Sequence, residues 1–132
     1  MTRQWIEKHG LKWFLDMNEG IDHAVAQGHG WEPNTTRFFN ALVVPGGSVL
    51  DIGANIGWYT MLAAQRGSRV LAVEPAPAMQ EVLRQHVAAN AFGGLITLRQ
   101  VAVSATAQKT LTSGELRVGY SCPRQGPPNY VP

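Results

Sequence analysis

The chain has 132 residues, 45% of them hydrophobic and 15% charged, with a formal net charge of +2. That length and balance suit one domain with one core, and they exclude a disordered chain. The 11 Lys and Arg residues are scattered without a dense basic run, so the expected partners include no nucleic acid and no membrane surface.

Cys122 is the only cysteine. One thiol forms no internal disulfide and builds no multi-cysteine zinc site, which suggests a reducing, cytoplasmic setting. The opening "MTRQWIEKHGLKWFLD" lacks the apolar core of a signal peptide, and no apolar run approaches a membrane span.

Residues 1–47 read as a leader or cap segment of mixed character. "LKWFL" (11–15) suits a short strand, and "IDHAVAQ" (21–27) places Ile21, Ala24 and Val25 at helical spacing. After a break at "WEPN" (31–34), Phe38 with Leu42 and Phe39 with Val43 predict a short helix capped by Asn34 or Thr35. From residue 48 the pattern alternates: strand "SVLDI", helix 57–66 stopped by Gly67, strand "RVLAVE" (69–74), a helix opened by Pro77 and ended by Gly93-Gly94, and strand "LITLRQ" (95–100). This β-α-β-α-β order predicts an α/β fold with a parallel sheet and right-handed crossovers. The ligand-binding half-domain is expected over 48–120, with a hairpin near Ser113-Gly114, and 121–132 is expected to be an irregular proline-rich tail.

The informative stretch is "SVLDIGANIGWYT". A strand–loop–helix turn lies at the carboxyl edge of a parallel sheet, where such folds bind ligands. Gly53 allows a sharp turn and close approach to the backbone, and Gly57 opens the helix. Asp51 can accept a hydrogen bond from an ammonium group. The dinucleotide fingerprint G-x-G-x-x-G fails at Asn55 and Trp58, and a P-loop would need a lysine after Gly57. A D-x-G-x-x-x-G loop suits a ligand with an amino-acid end, S-adenosylmethionine. Glu74, at the end of the next strand, can take both ribose hydroxyls of an adenosine. The apolar run Val101-Ala102-Val103 suits an adenine after the third strand. Asn55 reads equally as a helix cap or a ligand contact.

"VLDIGANIGWYT", "VLAVEPAP" and "NAFGGLITLRQVAVSA" together resemble the FkbM family of S-adenosylmethionine-dependent methyltransferases, over roughly residues 31–112. The resemblance implies a Rossmann-like class I methyltransferase fold and O-methylation of a sugar or small-molecule hydroxyl. It assigns Asp51, Gly53, Ala54, Asn55 and Gly57 to the methionine end, Glu74 to the ribose, and Pro75 and Ala102 to the adenine. It also assigns Glu32 to the edge of the ligand pocket. Family members continue with a strand of the type K-I-D-x-E-G, which does not occur here. The expected structure is therefore the N-terminal half of the doubly wound sheet, its open edge available to a homodimer.

Two other readings remain at this level: a non-catalytic remnant, and an NAD-binding Rossmann fragment. The histidines show no metal-ligand spacing, and His86 reads as a packing residue on its helix. No residue stands out as a catalytic base.

Overall fold

A computed structural model describes residues 3–103. The predicted hairpin near Ser113-Gly114 and the proline-rich tail lie outside the described residues. The chain opens with β1 (Arg3–Lys8) and β2 (Leu11–Asp16), an antiparallel pair in which Lys8 faces Leu11. The two-residue loop, His9-Gly10, has φ of 56° and 71°. Two positive φ values mark the type of hairpin turn whose twist matches that of the strands. Sequence reading found β2 and missed β1, because Trp5 and Ile6 alone carry no alternation.

Helices α1 (Gly20–Ala26) and α2 (Pro33–Leu42) follow. The predicted cap of α2 is corrected. The helix starts at Pro33, two residues before Thr35, and Glu32 occupies the N-cap with no side-chain capping bond. Proline suits the first helical turn because its missing N–H would have had no partner there.

The remainder matches the predicted order: β3 (Ser48–Ile52), α3 (Trp58–Gln65), β4 (Arg69–Val73), α4 (Pro77–Ala89) and β5 (Ile96–Arg99). The three strands are parallel in the order β3-β4-β5, with Leu50 beside Leu71 and Val70 beside Ile96. Helix α4 ends before Gly93-Gly94, with Ala91 as the left-handed residue after its C-cap at φ 56°.

Right-handed crossovers between strands laid down in one direction put both helices on one face of the sheet. Val70, Ala72 and Ile96 are accordingly buried, whereas Leu50, Ile52 and Leu71 on the opposite face are 60%, 56% and 40% exposed. Helix α3 is buried on nearly every side, through Trp58, Thr60, Met61, Leu62, Ala63 and Ala64. The sheet covers it on one side and the β1–β2 hairpin and α2 on the others. Trp13 of β2 stacks on Trp58 at a centroid separation of 5.5 Å, and Phe39 of α2 meets Tyr59 edge-on at 5.0 Å.

Side chains of α4 satisfy the outer edge of β2. Asn90 Oδ1 accepts from the Lys12 N–H at 2.9 Å, and Asn90 Nδ2 donates to the Lys12 carbonyl at 2.8 Å. His86 Nε2 accepts from the Phe14 N–H at 2.8 Å. Its Nδ1 therefore carries the proton and donates to the Ile56 carbonyl at 2.8 Å. Burial holds the fully enclosed imidazole below its ordinary pKa and therefore neutral, the packing role expected from sequence.

Candidate functional site

The loop after β3 and the loop after β4 meet at the carboxyl edge of the sheet. Gly53 turns the chain at φ 79°, and a Cβ built on it would meet nothing within 4 Å. Open space above a left-handed glycine is what a ligand lying on the backbone requires. The Gly53 and Ala54 N–H groups both donate to the Val73 carbonyl, at 2.8 and 3.0 Å, which fastens the loop to β4.

Glu74 joins the two loops. Its Oε2 accepts from the Asn55 N–H at 2.8 Å, and its Oε1 accepts from the Ala76 N–H at 2.9 Å. The residue is only 4% exposed. Buried Gln80 braces the same corner, donating to the carbonyls of Glu74 and Arg99 at 3.0 and 2.9 Å. Sequence reading missed Gln80, whose only signal was a polar residue on the apolar side of α4.

Asp51, near the end of β3, turns toward α3. Its Oδ2 accepts from Thr60 Oγ1 at 2.6 Å, and its Oδ1 takes no hydrogen bond from the described residues. Burial raises the Asp51 pKa, with the Thr60 hydrogen bonds opposing that shift. A half-buried acid with one open oxygen is a fitting acceptor for an ammonium group.

The two glycines of the motif do different work. At Gly57, φ is 88° and a Cβ would lie 2.2 Å from Leu83 Cδ1. Gly57 therefore lets α3 start against α4. As the N-cap of α3 it opens that helix, as the sequence reading expects. The three N–H groups of Gly53, Ala54 and Asn55 are also already bonded within the fold, so they offer a ligand less than a free loop would.

Asn55 adopts φ 53°, which asparagine tolerates, and the N-cap of α3 is Gly57. Pro75 lies half-buried between the loops, and Ala102 is exposed beyond the end of β5. Glu32 stands apart on α2 at φ 43°, an uncommon conformation for a non-glycine residue, and accepts from Tyr59 Oη at 2.8 Å. Burial, followed by that bond, raises the Tyr59 pKa. The structure thus brings Asp51, Gly53, Ala54, Asn55, Glu74 and Pro75 to one edge. Among the described residues no group of three His, Cys, Asp or Glu side chains is placed to hold a metal ion. No described helix is long and apolar enough to cross a membrane.

Residues 50–112 match the family model described as Methyltransferase domain. The fold is that of a class I, Rossmann-like methyltransferase.

Two solved structures illustrate the likeness. TYW2 of P. horikoshii, in complex with MeSAdo, aligns with a TM-score of 0.62 and 18% identity over 76% of this chain and 36% of its own. The complex of aTrm5 and tRNALeu gives 0.56 and 16% over 74% of this chain and 27% of its own. At these identities the two structures establish the fold alone.

Among curated proteins, a probable ribosomal RNA small subunit methyltransferase A of Methanosphaera stadtmanae is 27% identical over 88 residues, 65% of this chain and 30% of the relative. The large subunit of 3-isopropylmalate dehydratase of Aquifex aeolicus is 34% identical over 64 residues, 48% of this chain and 12% of the relative. The chain thus spans less than a third of the curated relatives it matches.

Two sequence expectations are corrected. The FkbM resemblance gives way to the general methyltransferase domain. In the VLDIGANIGWYT stretch that carried the resemblance, Thr60 bonds Asp51 and Tyr59 bonds Glu32 within the fold. The exclusion of nucleic acid also falls, because RNA is named in the curated methyltransferase relative and in the tRNA complex. A missing basic run was a poor ground for it: residues distant in sequence converge in a fold, and composition does not see that.

Proposed function

We propose that this chain is the cofactor-binding part of an S-adenosylmethionine-dependent methyltransferase whose acceptor is RNA. The observation that carries the cofactor half is the open cradle at Gly53, flanked by the free Asp51 Oδ1 and the loop clasp of Glu74. When bound, S-adenosylmethionine supplies an electrophilic methyl group on a sulfonium. Asp51 would hold the ammonium of the methionine end, with the Asn55 side chain beside it. Glu74 would keep both loops in register and face the ribose. Pro75 and Ala102 would border the adenine, and Glu32 the outer rim. Methyl transfer from a sulfonium rests mainly on alignment of the acceptor, so the task of these residues is to position.

The RNA acceptor is supported by the ribosomal RNA methyltransferase relative. A sugar or small-molecule hydroxyl loses its support with the FkbM resemblance. A cytoplasmic setting is part of the same proposal.

The test is calorimetric titration of the 132-residue chain with S-adenosylhomocysteine, with NAD in parallel and Gly53→Ala as the variant. Saturable binding of S-adenosylhomocysteine alone, weakened at least tenfold by Gly53→Ala, is expected. Binding of NAD, or equal binding by the variant, would overturn the cofactor assignment.

A further inference from the structure

A second concave site lies away from the cofactor corner. It is a cleft of about 360 Å3 between the hairpin turn, the segment before α2, and the facing sides of α2 and α3. His9, His29, Trp31, Arg37, Asn40 and Trp58 are among its lining residues, and none of the loop residues at 53–57 or 74–76 contributes. The periodicity of α2 accounts for its wall: Pro33, Thr36, Arg37 and Asn40 fall on one face of the helix.

Three features define what this cleft would accept. First, its lining contains no Asp or Glu. The nearest acid in sequence, Glu32, has its carboxylate engaged by Tyr59. Second, Arg37 brings a guanidinium to the lining, and Arg66 bonds a lining residue from outside it. Arg37 is exposed and makes no hydrogen bond or ion pair among the described residues. Arg66 Nε donates to Asn40 Oδ1 at 3.1 Å on the α2–α3 side. Third, the cleft offers a flat apolar surface at half-exposed Trp31, whereas Trp58 is buried under His9 and Trp13.

The cleft also has a fixed floor. Trp58 Nε1 donates to Thr36 Oγ1 at 2.9 Å, and that hydroxyl donates to the Trp31 carbonyl at 2.6 Å. The chain ties α3, α2 and the preceding segment together, so the lining is organised before any ligand arrives.

We infer that this cleft binds a nucleotide unit of single-stranded RNA, its base against Trp31 and its phosphate on Arg37. Unpaired bases stack on aromatic side chains, while cations track the backbone. The volume is at the small end of ligand pockets, about 300–1,000 Å3, which suits one nucleotide and not a duplex. The inference rests on the RNA acceptor proposed above and adds where the RNA is gripped, on residues other than the loop residues at 53–57 and 74–76.

The test is fluorescence anisotropy of a labelled 12-nucleotide single-stranded RNA with the 132-residue chain at two salt concentrations. Two charge reversals are compared: Arg37→Glu in the cleft, and Arg84→Glu on the exposed surface of α4, where Arg84 pairs with Glu81. Both change the net charge equally. Arg37→Glu is expected to weaken binding at least tenfold and to flatten the salt dependence, and Arg84→Glu to change it less than threefold. Equal weakening by the two variants would overturn the cleft while leaving RNA as the acceptor. No RNA binding by the wild-type chain would overturn both. Circular dichroism checks that Arg37→Glu, a substitution at an exposed position, keeps the fold.

Discussion

Replacing Gly57 with alanine separates the two glycines of the motif by their energetics. At Gly53 the new methyl group meets open space, so the cost is that of a left-handed residue, about 1–2 kcal/mol. At Gly57 the same backbone strain applies, and the methyl would also fall 2.2 Å from Leu83 Cδ1. Leu83 has no exposed surface, so it cannot swing into solvent. Overpacking of a closed core adds about 1–3 kcal/mol, bringing Gly57→Ala to about 2–5 kcal/mol. That is a large share of a stability of about 5–15 kcal/mol for a domain of this kind. Urea unfolding measures both variants, and Leu83→Ala in each background completes a cycle. The cavity left by Leu83→Ala should partly accommodate the added methyl, so the double variant should be more stable than the sum of the singles implies. The reasoning is refuted if Gly57→Ala costs no more than Gly53→Ala, or if the cycle is additive.

Asp51→Asn should keep the Thr60 hydrogen bond while removing a buried charge. The burial cost of the carboxylate is present above its raised folded pKa and absent at low pH. The variant should therefore melt at or above the wild-type temperature at pH 7, lose that advantage toward pH 3, and bind S-adenosylhomocysteine at least tenfold more weakly. A less stable variant with unchanged binding would contradict this account. His86 has the opposite sign. Its pKa lies below 6.5 in the fold, so protons bind the unfolded chain first and stability falls as pH drops from about 6.5 through the lowered value. The urea midpoint should decline between pH 7 and pH 5, and less steeply in His86→Gln. His9 is shifted the same way by burial and by Lys8, so the difference between the two proteins is the quantity to compare.

The β-α-β-α-β core was legible because glycine and proline punctuate it: Gly67, Pro77 and the Asp51–Gly57 loop mark turns whose backbone requirements are local. The hairpin was half legible. Leu11, Trp13 and Leu15 alternate, whereas β1 exists only through its pairing with β2. At the carboxyl edge of the sheet, sequence spacing brought Asp51, Gly53 and Glu74 together, since strand ends in a parallel sheet converge. It did not find that Gly57 serves Leu83, that Gln80 braces the corner, or that Arg37 and His9 share a cleft. Those are contacts between segments, and no local pattern encodes them.

The bonds from Asn90 to Lys12 and from His86 to Phe14 span 78 and 72 residues. The hairpin is made before the side chains that complete its outer edge. At synthesis rates of about 5–20 residues per second, β2 waits several seconds with an open edge. Its buried face, centred on Trp13, waits a shorter time for Trp58 and about as long for His86. Closing so long a loop also delays the docking step in refolding from denaturant. The β1–β2 hairpin is therefore open to mispairing until α4 is in place, and is held at its outer edge afterwards.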